Sequence, residues 1–293
     1  MNKPFCVFII SHGRADKVVT LRTLKRSGYT GPVFIVCDNE DKTIDQYRKN
    51  HGADMVLVFD KPHYTSLVDS CDNFENRRTT THARNACFDL ANDRGFEYFL
   101  VLDDDYTAFE YTFDRDGNGS DALVLCFDRV CASVFEFMQS DDRIKSVCFM
   151  QGGEIIGGLK KLDKTNRCAA RRGIYPFIKR KAMNSFFCNT SRRFWFLSRL
   201  NEDVNTYLSH GSRGDLFLTI PDVHLNQIQS QVNNGGMSDS YLASGTYVKS
   251  FYSVMVLPSA ALVNANKDLH RLHHRISWNN AVPKILDHTH KKQ

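Results

Sequence analysis

The stretch with the strongest chemical signal is a run of three carboxylates, Asp103-Asp104-Asp105, which directly follows the mostly apolar segment 96–102. The apolar segment predicts a buried β-strand. Three like charges at the end of such a strand repel one another and lose hydration unless a partner compensates them. On an extended backbone Asp103 and Asp105 point the same way and can share one hard divalent cation. The sequence therefore predicts a metal site at a strand end, where α/β sheets place their ligands.

Two other interpretations of these carboxylates stay open. Aspartates also cap helices or lie solvated in turns. The run from Asp103 to Thr107 also fits the Asp-x-Asp-x-Thr spacing of phosphatase-like hydrolases. That motif is expected on the first strand of its domain, whereas several predicted elements precede it here, so the metal interpretation is preferred.

The segments before the carboxylates predict the sheet that positions them. Apolar runs at 5–10, 32–37 and 55–59 predict strands, and the segments 18–28 and 41–51 between them predict helices. This alternation indicates an α/β fold with a doubly wound, mainly parallel sheet. The carboxyl ends of its strands then line one crevice.

Further elements surround this predicted crevice. The polar connection 60–81 is long for a compact fold and is predicted to be functional or mobile. Arg84, on the first turns of the helix that follows, is placed to bind a diphosphate, with a solvated helix arginine as the alternative. Alternation predicts a strand over 106–113, and helical periodicity predicts a helix over 123–138.

The second half of the chain carries a basic cluster. Nine lysines and arginines and a single acid lie between Lys160 and Lys181, and three further arginines flank aromatic residues up to Arg199. Basic side chains interleaved with aromatic ones suit phosphate backbones and stacked bases. The segment 160–199 is therefore a candidate nucleic-acid surface, with a solvated basic face as the alternative.

Three other features are candidate site elements. The glycines at 152–153 let the backbone approach a ligand closely. Glu202 and Asp203 open a predicted helix, where they either pair with the helix dipole or serve as a general base at the rim of the sheet. The histidine-rich segment 270–278 is either a surface feature or returns a histidine to the metal or the diphosphate.

Composition limits the possible classes of protein. The 293 residues are 42% hydrophobic and 24% charged, which is ordinary for a globular chain. The formal charge of +5 permits an anionic partner without requiring one. No apolar run has the length of a membrane span, and the N-terminus leaves no room for a signal peptide. Nine cysteines without a CxxC pair are expected to be reduced core thiols, so a cytoplasmic location is expected.

Taken in order, these motifs resemble those of the GT-A glycosyltransferases. Within that group the chain is similar to the TET-associated glycosyltransferases, which occur largely in bacteriophages and near DNA-modifying oxygenases. The matching stretches are Ile10–Asp16, Val36–Asp38, Ala83–Asn85, Leu102–Asp105, Asn201–Val204 and His273–Trp278. The resemblance implies one Rossmann-like GT-A domain over 1–293, with a nucleotide-sugar half at 1–113 and an acceptor half at 114–293.

The resemblance also implies an activity. A sugar is expected to move from a nucleotide-sugar, with UDP as the nucleotide, to the hydroxyl of a hydroxymethylated pyrimidine in DNA, such as 5-hydroxymethylcytosine. The Asp-x-Asp motif would hold Mn²⁺ or Mg²⁺ through Asp103 and Asp105, with His273 as a further ligand. This oxygen-rich set favours a hard ion over zinc, and the ion stabilises the leaving diphosphate.

The remaining site residues follow from the same resemblance. The nucleotide-sugar is expected to contact Ser11, His12, Gly13, Arg14, Asp38, Arg84, Asp103, Asp104, Gly152, Gly153 and His274. Asp203, with Glu202 beside it, would accept the acceptor proton in an inverting enzyme. A retaining enzyme needs no such base, so the stereochemistry stays open.

Other classes fit parts of the pattern. A glycosyltransferase with a protein or small-molecule acceptor would use the same strand-end carboxylates. A nucleotidyltransferase would need further acids nearby for two-metal chemistry. A non-catalytic nucleic-acid-binding module would bind equally well without Asp103 and Asp105.

Overall fold

The computed structural model describes residues 4–116, 118–151, 181–228, 248–266 and 271–283. In chain order its elements are β1 (Phe5–Ile10), α1 (Val19–Arg26), β2 (Val33–Asp38), α2 (Ile44–His51), β3 (Val56–Phe59), α3 (Lys61–Leu67), α4 (Thr81–Asp93), β4 (Tyr98–Asp103), β5 (Tyr106–Phe113), β6 (Gly119–Leu123), α5 (Phe127–Gln139), β7 (Ile144–Gln151), β8 (Ser185–Asn189), α6 (Glu202–Gly211), β9 (Leu216–Gln227), β10 (Ala261–Asn266) and β11 (Arg271–Ile276). Residues 248–256 are also helical. No helix in these ranges is both long and apolar enough to cross a membrane.

Within the described residues, nine strands form one sheet in the order β3-β2-β1-β4-β8-β7-β9-β5-β6. Strands β3, β2, β1 and β4 pair in parallel, and so do β7 and β9. The pairs that involve β5 or β8 are antiparallel, so these two strands run against the other seven. The predicted α/β fold with a mixed, mainly parallel sheet is confirmed. Strands β10 and β11 form a separate antiparallel pair.

Strand β1 shows why the sheet is covered on both faces. All six of its residues are buried. Phe5, Val7 and Ile9 pack into one apolar cluster together with residues of α1 and α5. The alternate residues Cys6 and Phe8 join a second cluster that includes residues of α4 and α6. A strand buried on both faces needs a continuous apolar sequence, and this is what made β1 recognisable.

Two predicted segments differ from the structure. Residues 119–123, part of which was assigned to a helix, form the edge strand β6 on β5, and α5 begins only at Phe127. The connection 60–81 begins with helix α3, in which Lys61 and Tyr64 are buried. Neither element gives a strong local signal, because β6 is a short, mostly exposed edge strand and α3 is only seven residues long.

The cysteines agree with the expectation of core thiols. The eight that lie in the described ranges are all free, and six of them are buried. Burial raises the pKa of Cys71, one of the two that are partly exposed, to about 11. The Cys71 thiol is therefore protonated at neutral pH.

Candidate active site

The three consecutive aspartates occupy the turn between β4 and β5. Asp103 is the last residue of β4 and pairs in register with Ile10, so the loop after β1 lies beside the turn. Asp104 is buried and accepts hydrogen bonds from Ser11 Oγ at 2.5 Å and Arg14 Nη1 at 3.0 Å. The middle carboxylate therefore fastens the loop after β1 to the end of β4.

The outer carboxylates, Asp103 and Asp105, lie partly exposed at the same edge of the sheet. Burial, together with neighbouring negative charge, raises the pKa of Asp103 to about 7 and that of Asp105 to about 6. Their ionised forms are thus disfavoured by the protein alone, and a cation between them would favour ionisation. Because the donors are carboxylate oxygens, these residues fit a hard divalent ion such as Mg²⁺ or Mn²⁺.

Arg84 joins these carboxylates to helix α6. Its side chain is only 1% exposed. The guanidinium donates to Glu202 Oε1 at 2.5 Å and to Asp103 Oδ1 at 3.2 Å. The rings of Phe186 and Phe196 lie 4.8 and 5.7 Å from its central carbon. The structure thus places Arg84 behind the carboxylates as a bridge, and its contact with a diphosphate stays a prediction.

Glu202 and Asp203 begin α6, as the sequence predicted. Glu202 is buried and accepts from Thr80 Oγ1 at 2.5 Å as well as from Arg84. Burial and the charge of Glu202 raise the pKa of Asp203, whose Oδ1 accepts from the Val204 N–H at 2.8 Å. Glu202 therefore binds Thr80 and Arg84, and a role of Asp203 or Glu202 as general base stays a prediction.

The predicted histidines lie on β11. The rings of His273 and His274 are 4.4 Å apart. His274 Nδ1 is 3.3 Å from the amide nitrogen of Asn201, the residue that precedes α6 in a left-handed conformation. Burial lowers the pKa of His274 to about 3, so it is neutral at pH 7. The structure brings β11 to the start of α6, and contacts of either histidine with a metal or a nucleotide-sugar stay predictions.

The loops after β1 and β2 form a cluster of polar side chains, the polar cluster, next to the carboxylates. His12 Nδ1 lies 2.7 Å from Asp38 Oδ2, and Lys61 Nζ lies 3.4 Å from Asp38 Oδ1. Gly13, whose φ of +68° suits glycine, donates its N–H to Asp41 Oδ2 at 2.8 Å. The predicted residues of these two loops are therefore close together.

Three residues of this polar cluster were not predicted as site residues. Asp41 holds the β1 loop, and Lys61 holds Asp38. Tyr47 is fully buried, and its hydroxyl accepts from the Arg14 N–H at 2.9 Å and lies 2.6 Å from Ser11 Oγ. The acidic residues after β2 were a signal for Asp41, whereas nothing local distinguishes Tyr47 or Lys61.

Other predicted residues lie partly outside the described ranges. Gly152, Gly153 and most of the basic segment 160–199 belong to this group. At its described end three arginines pair with carboxylates of the same chain: Arg192 with the exposed Asp142, Arg193 with the partly exposed Asp89, and Arg199 with the buried Asp72. Phe194 and Phe196 belong to the core. A nucleic-acid role of the segment 160–199 stays a prediction.

The pair formed by His12 and Asp38 gives a pH-dependent stability. The hydrogen bond to Asp38 raises the pKa of His12 against the opposing effect of burial. Because the folded pKa is raised, this stabilisation is complete below the unfolded value of about 6.5 and is lost as the pH rises through the folded value. We expect His12→Ala to lower the free energy of unfolding at a pH of about 6, by less than about 1 kcal/mol because His12 is half exposed, and to have little effect at a pH of about 9.

Urea unfolding of both proteins at the two pH values measures this difference. His63→Ala is the control, since His63 is exposed. A destabilisation that is the same at both pH values would show that His12 acts through packing rather than through charge.

A carboxylate pair at a strand end, beside two polar strand-end loops, fits an enzyme that transfers a group with the help of a divalent ion. Comparison with protein-family models shows that this enzyme is a glycosyltransferase. Residues 5–236 match the model of the TET-Associated Glycosyltransferase family. The chain belongs to this family, as its motifs predicted. Comparison with individually curated proteins gives no significant match.

Several solved structures resemble this chain distantly in backbone fold. Glucosyl-3-phosphoglycerate synthase from Mycobacterium tuberculosis, solved with Mg²⁺ and UDP, is 8% identical over 94% of this chain and 88% of its own, with a TM-score of 0.47. GalNAc-T7, solved with UDP, GalNAc and Mn²⁺, is 15% identical over 78% of this chain and 44% of its own, with a TM-score of 0.45. S. aureus TarS is 13% identical over 78% and 37%, with a TM-score of 0.40. These sequence identities and TM-scores are too low to assign a shared function to this chain.

Proposed function

We propose that this glycosyltransferase moves a sugar from a nucleotide-sugar, with UDP as the nucleotide, to the hydroxyl of a hydroxymethylated pyrimidine in DNA. The observation that carries the proposal is the position of Asp103 and Asp105. These two partly buried carboxylates lie at the end of β4, next to the polar cluster of the β1 and β2 loops. The acceptor is supported by the family, which occurs near oxygenases that modify DNA bases.

The donor half supplies binding and orientation. Asp103 and Asp105 would hold Mn²⁺ or Mg²⁺, which supplies positive charge where the leaving nucleoside diphosphate becomes negative. His12 is 47% exposed and held by Asp38, so its ring is accessible as a contact for the nucleoside. Lys61 fixes the other oxygen of Asp38. Because these partners are in place before binding, little ordering is needed when the nucleotide arrives.

The acceptor half supplies the base. In an inverting transfer the acceptor oxygen forms a bond to the anomeric carbon, the bond from that carbon to the diphosphate oxygen breaks, and a carboxylate takes the hydroxyl proton. We assign this role to Asp203 because the carboxylate of Glu202 already accepts hydrogen bonds from Arg84 and Thr80. The raised pKa of Asp203 makes its ionised form a stronger base than an exposed aspartate.

We expect Asp203→Asn to lower kcat by about 10²–10⁴-fold, the usual contribution of a general base. The KM for the donor is expected to change little, because Asp203 lies in the acceptor half. Steady-state kinetics at saturating acceptor measure both parameters. Asp45→Asn is the matched control, since Asp45 also lies in the first turn of a helix but its side chain is 98% exposed. An unchanged kcat, with a product of retained anomeric configuration by NMR, would remove Asp203 from the mechanism.

The proposal as a whole is tested by release of nucleoside diphosphate. The purified protein is incubated with Mn²⁺ and a panel of nucleotide-sugars, with duplexes that contain cytosine or 5-hydroxymethylcytosine. Release of UDP that requires the modified duplex, together with a matching gain in DNA mass, supports both donor and acceptor. Release that is independent of DNA would exclude the DNA acceptor, and no release with any donor would overturn the proposal.

A further inference from the structure

A second group of metal-ligand side chains lies on β5, β6 and β9, apart from the aspartates of the β4–β5 turn. Its members are Glu110, Asp121 and His224, whose ligand atoms all lie within 4.8 Å of one another. In the part of the chain that the structure describes, no other three histidine, cysteine or acidic side chains come this close. Glu110 and His224 are direct partners in the β5–β9 pair, and Asp121 is on β6, the neighbour of β5 on its other side. Strand pairing therefore brings one possible ligand from each of three strands close together.

The distances suit a small ion. His224 Nε2 lies 3.1 Å from Glu110 Oε2 and 4.0 Å from Asp121 Oδ1. In a tetrahedral zinc site with ligands at about 2.0–2.1 Å, neighbouring ligand atoms are roughly 3.3 Å apart. The observed distances lie on either side of this value. A small movement of Asp121, whose side chain is 89% exposed, would complete the geometry.

Hydrogen bonds from outside the trio orient two of the three ligands. Thr112 Oγ1 lies 3.0 Å from His224 Nδ1, and the amide of Asn226 donates to Glu110 Oε2 at 2.6 Å. When Nδ1–H donates to Thr112, the lone pair of Nε2 faces a carboxylate oxygen, and two electron-pair donors at this distance need a cation between them. Such partners are typical of metal-binding histidines and carboxylates. If Nε2 carries the proton instead, His224 donates an ordinary hydrogen bond to Glu110 Oε2.

We propose that Glu110, Asp121 and His224 bind one Zn²⁺ ion, or a transition-metal ion of similar preference, with water as the fourth ligand. One imidazole nitrogen and two carboxylate oxygens can bind either zinc or a harder divalent ion, and at this site the short distances between the ligand atoms favour a tetrahedral zinc ion. The ion would cross-link three strands at the edge of the sheet. The lack of a CxxC pair does not bear on this site, because its ligands come together only through the fold.

The test uses the full chain after treatment with EDTA, titrated with Zn²⁺ by calorimetry and with Co²⁺ by visible absorption. The wild type is expected to bind one equivalent of Zn²⁺ at this site and to gain thermal stability from it. Thr112→Val, which removes only the partner of Nδ1, is expected to weaken binding by roughly 10–100-fold, and His224→Gln by more than that. Asp121→Asn changes an exposed side chain, so it tests the site without risk to folding, and about tenfold weaker binding is expected.

Two controls separate the possible outcomes. His210→Gln removes the histidine of another ion pair, 3.2 Å from Asp215, and is expected to leave zinc binding unchanged. Asp105→Asn alters the predicted catalytic ion site and is expected to retain the zinc equivalent. The proposal would be overturned if the wild type did not bind zinc, or if Asp121→Asn and His224→Gln bound zinc as tightly as the wild type. His224 and Glu110 would then be only a hydrogen-bonded pair. Sugar transfer is measured in parallel, so a failure of the proposed function is seen separately.

Discussion

Replacing Asp105 with asparagine is expected to lower the rate of sugar transfer by about 10³-fold while leaving the free energy of unfolding unchanged or higher. A metal ion contributes several kcal/mol of transition-state stabilisation, and each 1.36 kcal/mol corresponds to a factor of ten. The charge of Asp105 is unfavourable in the folded protein, because burial and the neighbouring Asp104 disfavour its ionised form. The substitution therefore removes a ligand and relieves a repulsion at the same time.

The two effects are measured on the same preparation. Initial rates at saturating Mn²⁺ and donor give the loss of activity, and urea unfolding without metal gives the stability. Asp54→Asn, at an exposed carboxylate just before β3, is the control for loss of one negative charge. A variant at position 105 that keeps a near-normal rate would contradict the assigned role. One that loses stability and activity together would indicate a structural role instead.

Replacing Arg84 with methionine is expected to destabilise the protein by about 3–5 kcal/mol, because it leaves two carboxylates without their buried cation. Asp103 and Glu202 both lose a hydrogen-bonded partner, and Glu202 is itself buried. The double variant Arg84→Met, Glu202→Gln removes the uncompensated charge as well, so part of the loss is expected to be recovered.

Denaturant unfolding of the two single variants and the double variant gives the coupling energy. Arg48→Met is the matched control: Arg48 pairs with Asp45 at 3.3 Å on the surface, and its loss is expected to cost less than about 0.5 kcal/mol. If Arg84→Met proved no more destabilising than Arg48→Met, the bridge between β4 and α6 would not contribute to stability.

The sheet was predictable because its information is local. The apolar runs at β1, β2 and β4 are continuous, which identifies strands buried on both faces, and the acids follow directly after β4. The position of Asp103 and Asp105 at a strand end followed from the same pattern. Residue type and spacing were sufficient for these parts of the fold and the candidate site.

The connections within the site were not predictable in this way. Arg84 is an arginine at the start of a helix, which fits a phosphate contact as well as an ion pair, and its strongest partner, Glu202, is 118 residues away. Lys61 reaches Asp38 only because α3 folds back against the end of β2. Likewise, Glu110, Asp121 and His224 meet through strand pairing. Each of these contacts is set by packing between distant segments, so no local pattern signals it.

The hydrogen bonds of Asp104 to Ser11 and Arg14 have a consequence for how the two proposed ligands affect each other's affinity. The loop that would contact the nucleoside and the turn that would hold the cation share this one carboxylate, so a movement of either is transmitted to the other. If the two ligands bind as proposed, we expect their affinities to be linked, and each ligand then changes the affinity for the other by the same factor. We therefore expect a redesign of the loop for a different donor to alter the affinity for the proposed cation as well.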